Sequence, residues 1–339
     1  LSNIFIPRQE LENLIQGALV ASCVSENNAA SVANALTQAQ MDGQFGHGVS
    51  RVSSYCMQAR SGKIKGNVIP QVVAETATAM RIDAGTGFAF PAIDLAIREL
   101  PKKAKSAGIA AATIFRSHHF GVAGWHVERL AQQGTIGWIV GNSPAAISPF
   151  GGSKPIFGTN PIAFAAPRLV AQPLVIDLSL SKVARGRVMV AAQEGNVIPE
   201  DWGLDKYGQP TTDPNAVLEG SMLPMGGAKG AALVLMVEIL SATLSGANFG
   251  FEATSFFEAE GEPPAVGQTI VCIDPDVFSG GHFTQRLEVL LDELLDQEGT
   301  RLPGSKRFNL REQAATHGIA VSRVSLEEIN QLVNGEARG

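Results

Sequence analysis

The chain has 339 residues, 45% hydrophobic and 17% charged, with a formal net charge of −6. That length supports two or three lobes around a large core, and an acid excess without any Lys/Arg run speaks against nucleic acid as a partner. Cys23, Cys56 and Cys272 are odd in number and lack CxxC pairing, so neither a disulfide framework nor a zinc site is expected, in keeping with a cytoplasmic protein.

The first sixty residues read as helices. Pro7 can open one with Leu11, Leu14, Ile15 and Leu19 on one face. Ser25 can cap a second, with Val32, Leu36 and Met41 facing inward and Gly43 at its end. Ser50 can cap a third, stopped by Gly62. Between the second and third, His47 stands between Gly46 and Gly48, with little local side-chain cover and a backbone free to take φ > 0. Such a place suits a proton donor. Arg51, in the first turn of the third helix, has no helical C-terminus to favour its charge, and a substrate carboxylate would supply a partner. The same residues also suit a plain helix corner with a solvated histidine and a surface arginine.

After Gly66 the period changes. Val72 to Ile82 suggests one or two strands, followed by a helix from Pro91 to about Ser106, a buried strand at Ile109 to Phe115, a helix from Gly121 to Gln133 and a strand at Ile136 to Val140. Apolar strands near Ile162 to Ala165 and Leu174 to Ile176 come next. Ser181 begins a helix, and Gly195 to Gly220 reads as a long polar loop. A helix from Gly227 to about Leu244 carries Leu233, Met236, Val237 and Leu240 at helical spacing. The apolar run inside it, Gly230 to Leu240, is broken by Glu238 and too short for a bilayer, and no basic-then-apolar leader is visible, so a membrane is not an expected partner. A strand at Thr269 to Ile273, a helix from Gln285 to Leu295 and a helix capped at Ser325, with Glu328 three residues on, complete the chain. The alternation gives an α/β architecture without internal repeats, and on this pattern alone a largely parallel sheet. No GxGxxG fingerprint supports a Rossmann reading.

Several stretches carry groups suited to ligands. Ser117, His118, His119, Phe120 and Gly121 end a strand and open a helix, where free N–H groups suit phosphate or an oxyanion. The histidine pair invites a metal, but adjacent residues of an extended segment point to opposite sides and no Asp, Glu or Cys lies at ligand spacing, so none is expected. Gly226 and Gly227 let the backbone approach an anion beside Ala228 and Lys229, where the lysine opposes the helix macrodipole; a flexible loop with Lys229 in solvent fits equally. Arg301, Lys306 and Arg307 surround the turn at Pro303 and Gly304, either as solvated surface or as a grip on an adenosine phosphate. Asp177, Leu178 and Ser179 end a strand, on the edge where ligands of α/β sheets bind. Thr159, in the turn from Gly158 to Pro161, can bond a small polar substrate.

Taken in order, His47 and Gly48 with Arg51, His119 to Gly121, Pro149 to Gly152, Gly158 to Pro161, Asp177, Ala184 to Gly186, Gly226 and Gly227 with Lys229 and Gly230, and Leu302 to Gly304 resemble the malate/L-lactate dehydrogenase family of the second type. Its relatives include ureidoglycolate dehydrogenase, diketogulonate reductase, sulfolactate dehydrogenase and piperideine/pyrroline-2-carboxylate reductases. The resemblance implies an α/β fold distinct from Rossmann: an N-terminal helical part (1–66), an α/β lobe (67–116 with 301–339) and a dinucleotide-binding lobe (117–300) with a mainly antiparallel sheet, assembled as a homodimer. It implies hydride transfer between a nicotinamide and a small 2-oxo or 2-hydroxy acid, or alternatively a cyclic imino acid, with His47 as proton donor, a role worth roughly 10² to 10⁴ in rate. Arg51, Arg185 and Thr159 would hold the substrate beside His119. His119, Phe120, Gly121, Asp177, Leu178, Ser179, Ala228, Lys229, Arg301, Gly304, Lys306 and Arg307 would hold the dinucleotide. NADP is favoured over NAD, because Lys306 and Arg307 suit a 2′-phosphate and no carboxylate is placed for the ribose hydroxyls.

Two positions depart from the family pattern. Relatives commonly carry Ser before the catalytic histidine, where this chain has Gly46, and several carry an acid where this chain has Arg187. A cation there lowers the pKa of a nearby imidazole, and Arg187 offers a second positive charge, so a substrate with an extra anionic group is expected. Loss of both relay partners also raises a reading of another class, a paralogue that binds cofactor without turnover.

Overall fold

The computed structural model describes residues 3–335. β1 (Asn3–Ile6) pairs antiparallel with residues 319–322, Ile6 opposite Ile319, and leads into α1 (Arg8–Val20), α2 (Glu26–Met41) and α3 (Val52–Ser61). Pro7 and Ser25 stand at the helix starts, and Gly43 and Gly62 take φ of 72° and 83° after the second and third helices. Ser50 does not cap α3. It lies in a 3-10 turn, Val49–Arg51, and donates its hydroxyl to the Phe45 carbonyl at 2.6 Å.

The sequence between β2 (Gln71–Glu75) and β11 (Ile319–Ser322) supplies the sheet and its cover. In order come β3 (Ala79–Asp83), α4 (Ala89–Ala107), β4 (Ile109–Ser117), α5 (Ala123–Ala131), β5 (Ile136–Gly141), β6 (Ile162–Ala166), β7 (Leu174–Leu178), α6 (Arg185–Glu194), β8 (Gly203–Leu204), α7 (Pro214–Glu219), β9 (Ser221–Met222), α8 (Ala228–Glu238), β10 (Val266–Ile273), α9 (Pro275–Ser279), α10 (Phe283–Leu295) and α11 (Ser305–His317). After β11 the last described helix is α12 (Arg323–Val333). Its cap is Ser322, whose hydroxyl accepts from the Ser325 N–H at 3.1 Å, three residues before the expected position.

The main sheet has seven strands in the order β2-β3-β4-β10-β5-β6-β7, and only β3 and β4 run parallel. Parallel neighbours need a long crossover, and α4 is the one that joins two adjacent strands. The strand, helix and strand at 109–141 are present as expected, but β10 sits between β4 and β5, antiparallel to both. A largely parallel sheet is therefore corrected to a mainly antiparallel one. The sheet runs without a break across 116/117, and Ile319, Val321, Ile329 and Leu332 share a core with the N-terminal helices and with Phe88 and Phe90.

Three cores follow from this layout. Ile82, Ile93, Leu100, Ile114, Leu130, Ile139 and Ile270 seat α4 and α5 on the sheet. Leu11, Ile15, Leu36, Tyr55 and Ile329 hold α1, α2, α3 and α12 together. Ile147, Phe157, Val188, Val234 and Val237 join α6 and α8 to the remaining loops. α8 departs from the expected face: Leu233 and Met236 are 40% and 38% exposed, while Val234, Val237 and Glu238 are buried. Its regular geometry ends at Glu238, where a wider π-type turn, Ile239–Thr243, takes over. Ser181 likewise starts no helix; α6 begins at Arg185, and the Ser181 hydroxyl donates to the Val183 carbonyl at 2.7 Å. Among the described residues, no helix is long and apolar enough to cross a membrane.

One ion cluster ties the helical part to the sheet cover. Arg311 on α11 reaches Asp42, at the end of α2, through Nε at 2.6 Å and Nη2 at 2.8 Å, and reaches Glu128 on α5 through Nη1 at 2.5 Å and Nη2 at 2.8 Å. Both carboxylate side chains are fully buried. Removing the shared cation leaves two buried carboxylates unpaired, which costs about 3–5 kcal/mol. Arg311→Met is therefore expected to lower the unfolding free energy obtained from urea titration by that amount, and an unchanged free energy contradicts the assignment.

Candidate active site

His47 closes the 3-10 turn Phe45–His47, and Arg51 closes the next one, directly before α3. Gly48 is required there by packing: a Cβ would lie 2.5 Å from Gln40 Oε1 and 3.1 Å from the Gln40 Cα, whereas a Cβ on Gly46 meets nothing within 4 Å. Neither glycine uses a positive φ. The His47 ring stacks on His119, centroids 5.3 Å apart at 21°. His119 Nδ1 shares a 2.5 Å hydrogen bond with the buried Tyr55 hydroxyl, and Phe256 packs edge-on against the same imidazole at 5.3 Å. So α3, the end of β4 and the 251–264 loop converge on one histidine pair.

Arg51 donates from Nε to the Gly46 carbonyl at 2.8 Å, and its guanidinium carbon lies 4.4 Å from the centre of the Phe257 ring. Its Nη1 is buried without a hydrogen-bond partner, and no carboxylate pairs with it among the described residues. A buried guanidinium donor left free is costly. It is a place prepared for an anion.

The charges set the protonation. Burial, then the nearby Arg51 charge, lowers the His47 pKa to about 4. Burial lowers His118 to about 3, with Lys63 and Arg51 adding to it, and carries His119 well below its ordinary value, with the Arg51 charge and any proton placed on His47, His118 or His126 adding to it. No carboxylate offsets these cations at His47 or His119. The imidazoles are neutral at pH 7, so His47 is poised to accept a proton, and donates one only when an anion beside it raises its pKa.

The other expected ligand groups fall into separate clusters. The Thr159 N–H donates to the Ser143 hydroxyl oxygen at 3.1 Å, and the next residue, Asn160, is buried with φ of 39° and donates to Glu238 at 2.7 Å. Glu238 also accepts from the Asn142 side chain at 3.1 Å and the Gly250 N–H at 2.7 Å. Burial raises its pKa, and this network fixes the turn on which Thr159 sits. Arg185, the first residue of α6, is half-buried without an ion-pair partner, and burial lowers its pKa. Arg187 is exposed, its guanidinium 5.6 Å from the Trp202 ring. Residues two apart on a helix point to opposite sides, so Arg187 does not share a direction with Arg185.

At the end of β7, Asp177 accepts from the Gly124 N–H at 2.8 Å and so caps α5, the helix end offered above to a phosphate. Burial raises the Asp177 pKa. Arg307, 7% exposed, lies 3.8 Å from Asp177, and its Nη1 is buried with no partner. A Cβ on Gly124 would come within 2.5 Å of that Nη1. Leu178 is exposed, and the Ser179 hydroxyl shares a 2.7 Å bond with Ser181. Phe120 is buried, its carbonyl bonded to His126 at 2.7 Å, and Gly121 turns with φ of 68°. Gly226 and Gly227 take φ of 65° and 62° directly before Ala228, and Lys229 is exposed with no ion-pair partner. Arg301 and Lys306 are exposed, and Gly304, with φ of 80°, closes against the Val175 carbonyl. The free Arg307 donor and the unpaired Lys229 behind a two-glycine turn fit the phosphates of a dinucleotide.

Sequence reasoning missed Tyr55, Glu238, Lys63, Phe256 as a wall of the site and Arg311 as its anchor. Tyr55 and Glu238 sit on helical faces that read as ordinary core and solvent positions, and only their partners reveal their roles.

The sequence pattern of the malate/L-lactate dehydrogenases extends over residues 6–330. A (2R)-3-sulfolactate dehydrogenase (NADP(+)) of Chromohalobacter salexigens is 49% identical over 308 residues, 91% of this chain and 92% of that protein. A Δ1-pyrroline-2-carboxylate/Δ1-piperideine-2-carboxylate reductase of Pseudomonas putida is 41% identical over 333 residues, 97% and 96% of the two chains. The crystal structure of Δ1-piperideine-2-carboxylate reductase from Pseudomonas syringae pvar. tomato superposes with a TM-score of 0.92 at 40% identity, covering 97% of this chain and 99% of that one.

Burial also lowers the His126 pKa to about 4, which makes four depressed histidines in one region. Their folded values lie below the unfolded value near 6.5, so the unfolded chain binds more protons between about pH 6.5 and pH 4. Stability is present above that window and is lost as pH falls through it. Unfolding near pH 5.3 is expected to take up roughly three to four protons from these groups. The slope of unfolding free energy against pH measures this, and a flat slope there contradicts the burial of the cluster.

Proposed function

The chain belongs to the malate/L-lactate dehydrogenase family and is an NAD(P)-dependent oxidoreductase; from that premise we propose that it interconverts a small 2-oxo acid and its 2-hydroxy acid, with a preference for substrates that carry a second anionic group. One observation carries this reading: Arg51, half-buried with a buried Nη1 that has no partner, is the charge beside the neutral His47 and His119 rings, and no carboxylate pairs with it among the described residues. Arg51 takes the substrate carboxylate in a charge-assisted hydrogen bond from its free Nη1, and Thr159 orients it. A nicotinamide, when bound, would supply or accept the hydride. His47, neutral in the free site, takes the hydroxyl proton on oxidation and returns it on reduction.

Since Gly46 and Arg187 replace the family's relay residues, the protein itself offers His47 nothing that raises its pKa. The substrate's negative charge does so instead, and a dianion does it more strongly than a monoanion. The second anion fits Arg185, half-buried and unpaired, better than Arg187, which already lies over Trp202. The sulfolactate dehydrogenase likeness accords with such a substrate. Arg301 and Lys306, both exposed, and the free donor of Arg307 support NADP over NAD through contacts to a 2′-phosphate. The exposed Leu233, Met236 and Ile239 on and after α8 supply apolar surface that a homodimer would cover.

A second reading, reduction of a cyclic imino acid, is favoured by Phe256 and Phe257, which place apolar surface beside His119 and Arg51. A panel of sulfopyruvate, other dicarboxylic 2-oxo acids, pyruvate and Δ1-piperideine-2-carboxylate, assayed with NADPH and NADH, separates the readings. We expect kcat/KM to be about tenfold or more higher for dianions than for pyruvate, given the cost of leaving a buried cation unpaired, and His47→Asn to lower kcat by about 10² to 10⁴. A preference for the imine supports the second reading. NADPH binding without consumption across the panel removes both.

A further inference from the structure

The loop 251–264 is strapped to α3 in a way that no part of the hydride chemistry requires. Lys63, two residues beyond α3, is 2% exposed, and its ammonium donates to three backbone carbonyls: Ser255 at 2.9 Å, Glu258 at 3.0 Å and Glu260 at 3.1 Å. An ammonium has three donors, so each is used. Gln58 donates to the Phe256 carbonyl at 2.8 Å, and Ser61 to the Ala259 carbonyl at 2.6 Å. Five carbonyls within six residues are thus held by three side chains at one end of α3. Burial lowers the Lys63 pKa, and the nearby Glu258 charge offsets this only in part.

The strap has a consequence at the other end of the same helix. It fixes Phe256 against His118 and His119, at 5.1 Å and 5.3 Å, and lays Phe257 on the face of Arg51 at 4.4 Å. Arg51 has one polar contact of its own, Nε to the Gly46 carbonyl. That bond anchors the guanidinium at one point and leaves rotation about it free. The phenyl face removes that freedom, because a cation lies flat over an aromatic ring. With one face covered, the buried Nη1, which has no partner of its own, is the donor that remains for a carboxylate.

We propose that Phe257 is a specificity-determining residue and Lys63 its positioning residue: the strapped ring pre-orients Arg51, so that the ordering cost of gripping a substrate carboxylate is met in the free protein. The inference rests on the reading of Arg51 as the carboxylate-binding residue. It assigns the aromatic ring, not the bulk alone, as the active feature. Phe257→Ala removes both ring and bulk, Phe257→Leu keeps bulk without the ring's negative face, and Phe257→Tyr keeps the ring.

The test measures binding of oxamate, a carboxylate probe that does not react, to the NADPH-loaded protein by calorimetry, together with KM and kcat for the best acid of the panel. The Ala variant is expected to weaken oxamate binding and raise KM about tenfold, the Leu variant about threefold, and the Tyr variant less than twofold. Values of kcat stay within about threefold, because His47 is held by separate contacts. Lys63→Met is expected to shift oxamate binding in the same direction as the Ala variant and to leave NADPH affinity unchanged. Oxamate affinity equal in the Ala variant and the parent, or equal loss in the Leu and Tyr variants, overturns the proposal even if Lys63→Met fails to fold. A parent protein that binds oxamate in an Arg51-dependent way yet reduces no acid or imine contradicts the functional reading alone.

Discussion

The structure keeps its carboxylates away from one buried cluster of imidazoles and a guanidinium, and the chemistry depends on that separation. Acids are not scarce in the surroundings. Asp42 lies five residues before His47 but is given to Arg311, Asp177 is given to the Gly124 N–H and Arg307, and Glu238 is given to Asn142, Asn160 and Gly250. Each is held in a bond that also fixes a backbone turn. The result is a partly buried site beside an unpaired cation, where a negatively charged substrate gains more than it would in water.

The same bonds connect the parts that must meet. Arg311 joins the end of α2, which leads directly into the His47 turn, to α5, whose start is capped by Asp177. Arg307 lies one turn earlier on the same helix, so α11 carries both the cation facing the expected dinucleotide side and the cation that anchors the histidine corner. The strap of Lys63 does the corresponding work for Arg51 from the opposite direction. Rigid secondary elements bear the reactive groups, as precise placement requires.

Much of this was legible in the sequence, and the misses have identifiable physical causes. Periodicity located the seven strands of the main sheet and most helices, because apolar spacing is a local property, but not α7, α9, α11, β8, β9 or β11. It did not locate β1, which is four residues long and pairs with a strand more than 300 residues away. It also did not reveal strand direction: β10 enters between β4 and β5 from far along the chain, and nothing local marks the slot it fills. Ser50 and Ser325 looked like caps and were not, since a neighbouring carbonyl at one site and Ser322 at the other competed for the role. Leu233 and Met236 followed helical spacing yet face outward, because an all-round apolar helix leaves its buried side unspecified. At the site, His47 and Arg51 were found from glycines and missing partners. Lys63 was not, since its partners are backbone carbonyls that no residue type announces.

On this mechanism His47 is neutral in the free protein and gains its proton through the charge of the bound substrate. The direct measurement is the His47 pKa by NMR, assigned against His47→Gln, in the free protein and in its dead-end complex with NADP⁺ and sulfopyruvate. The account predicts a value of about 4 in the free protein and a rise of roughly two units or more in the complex, the scale on which a close opposite charge moves a buried group. A free value near 6.5, or one that does not move when the dianion binds, contradicts it.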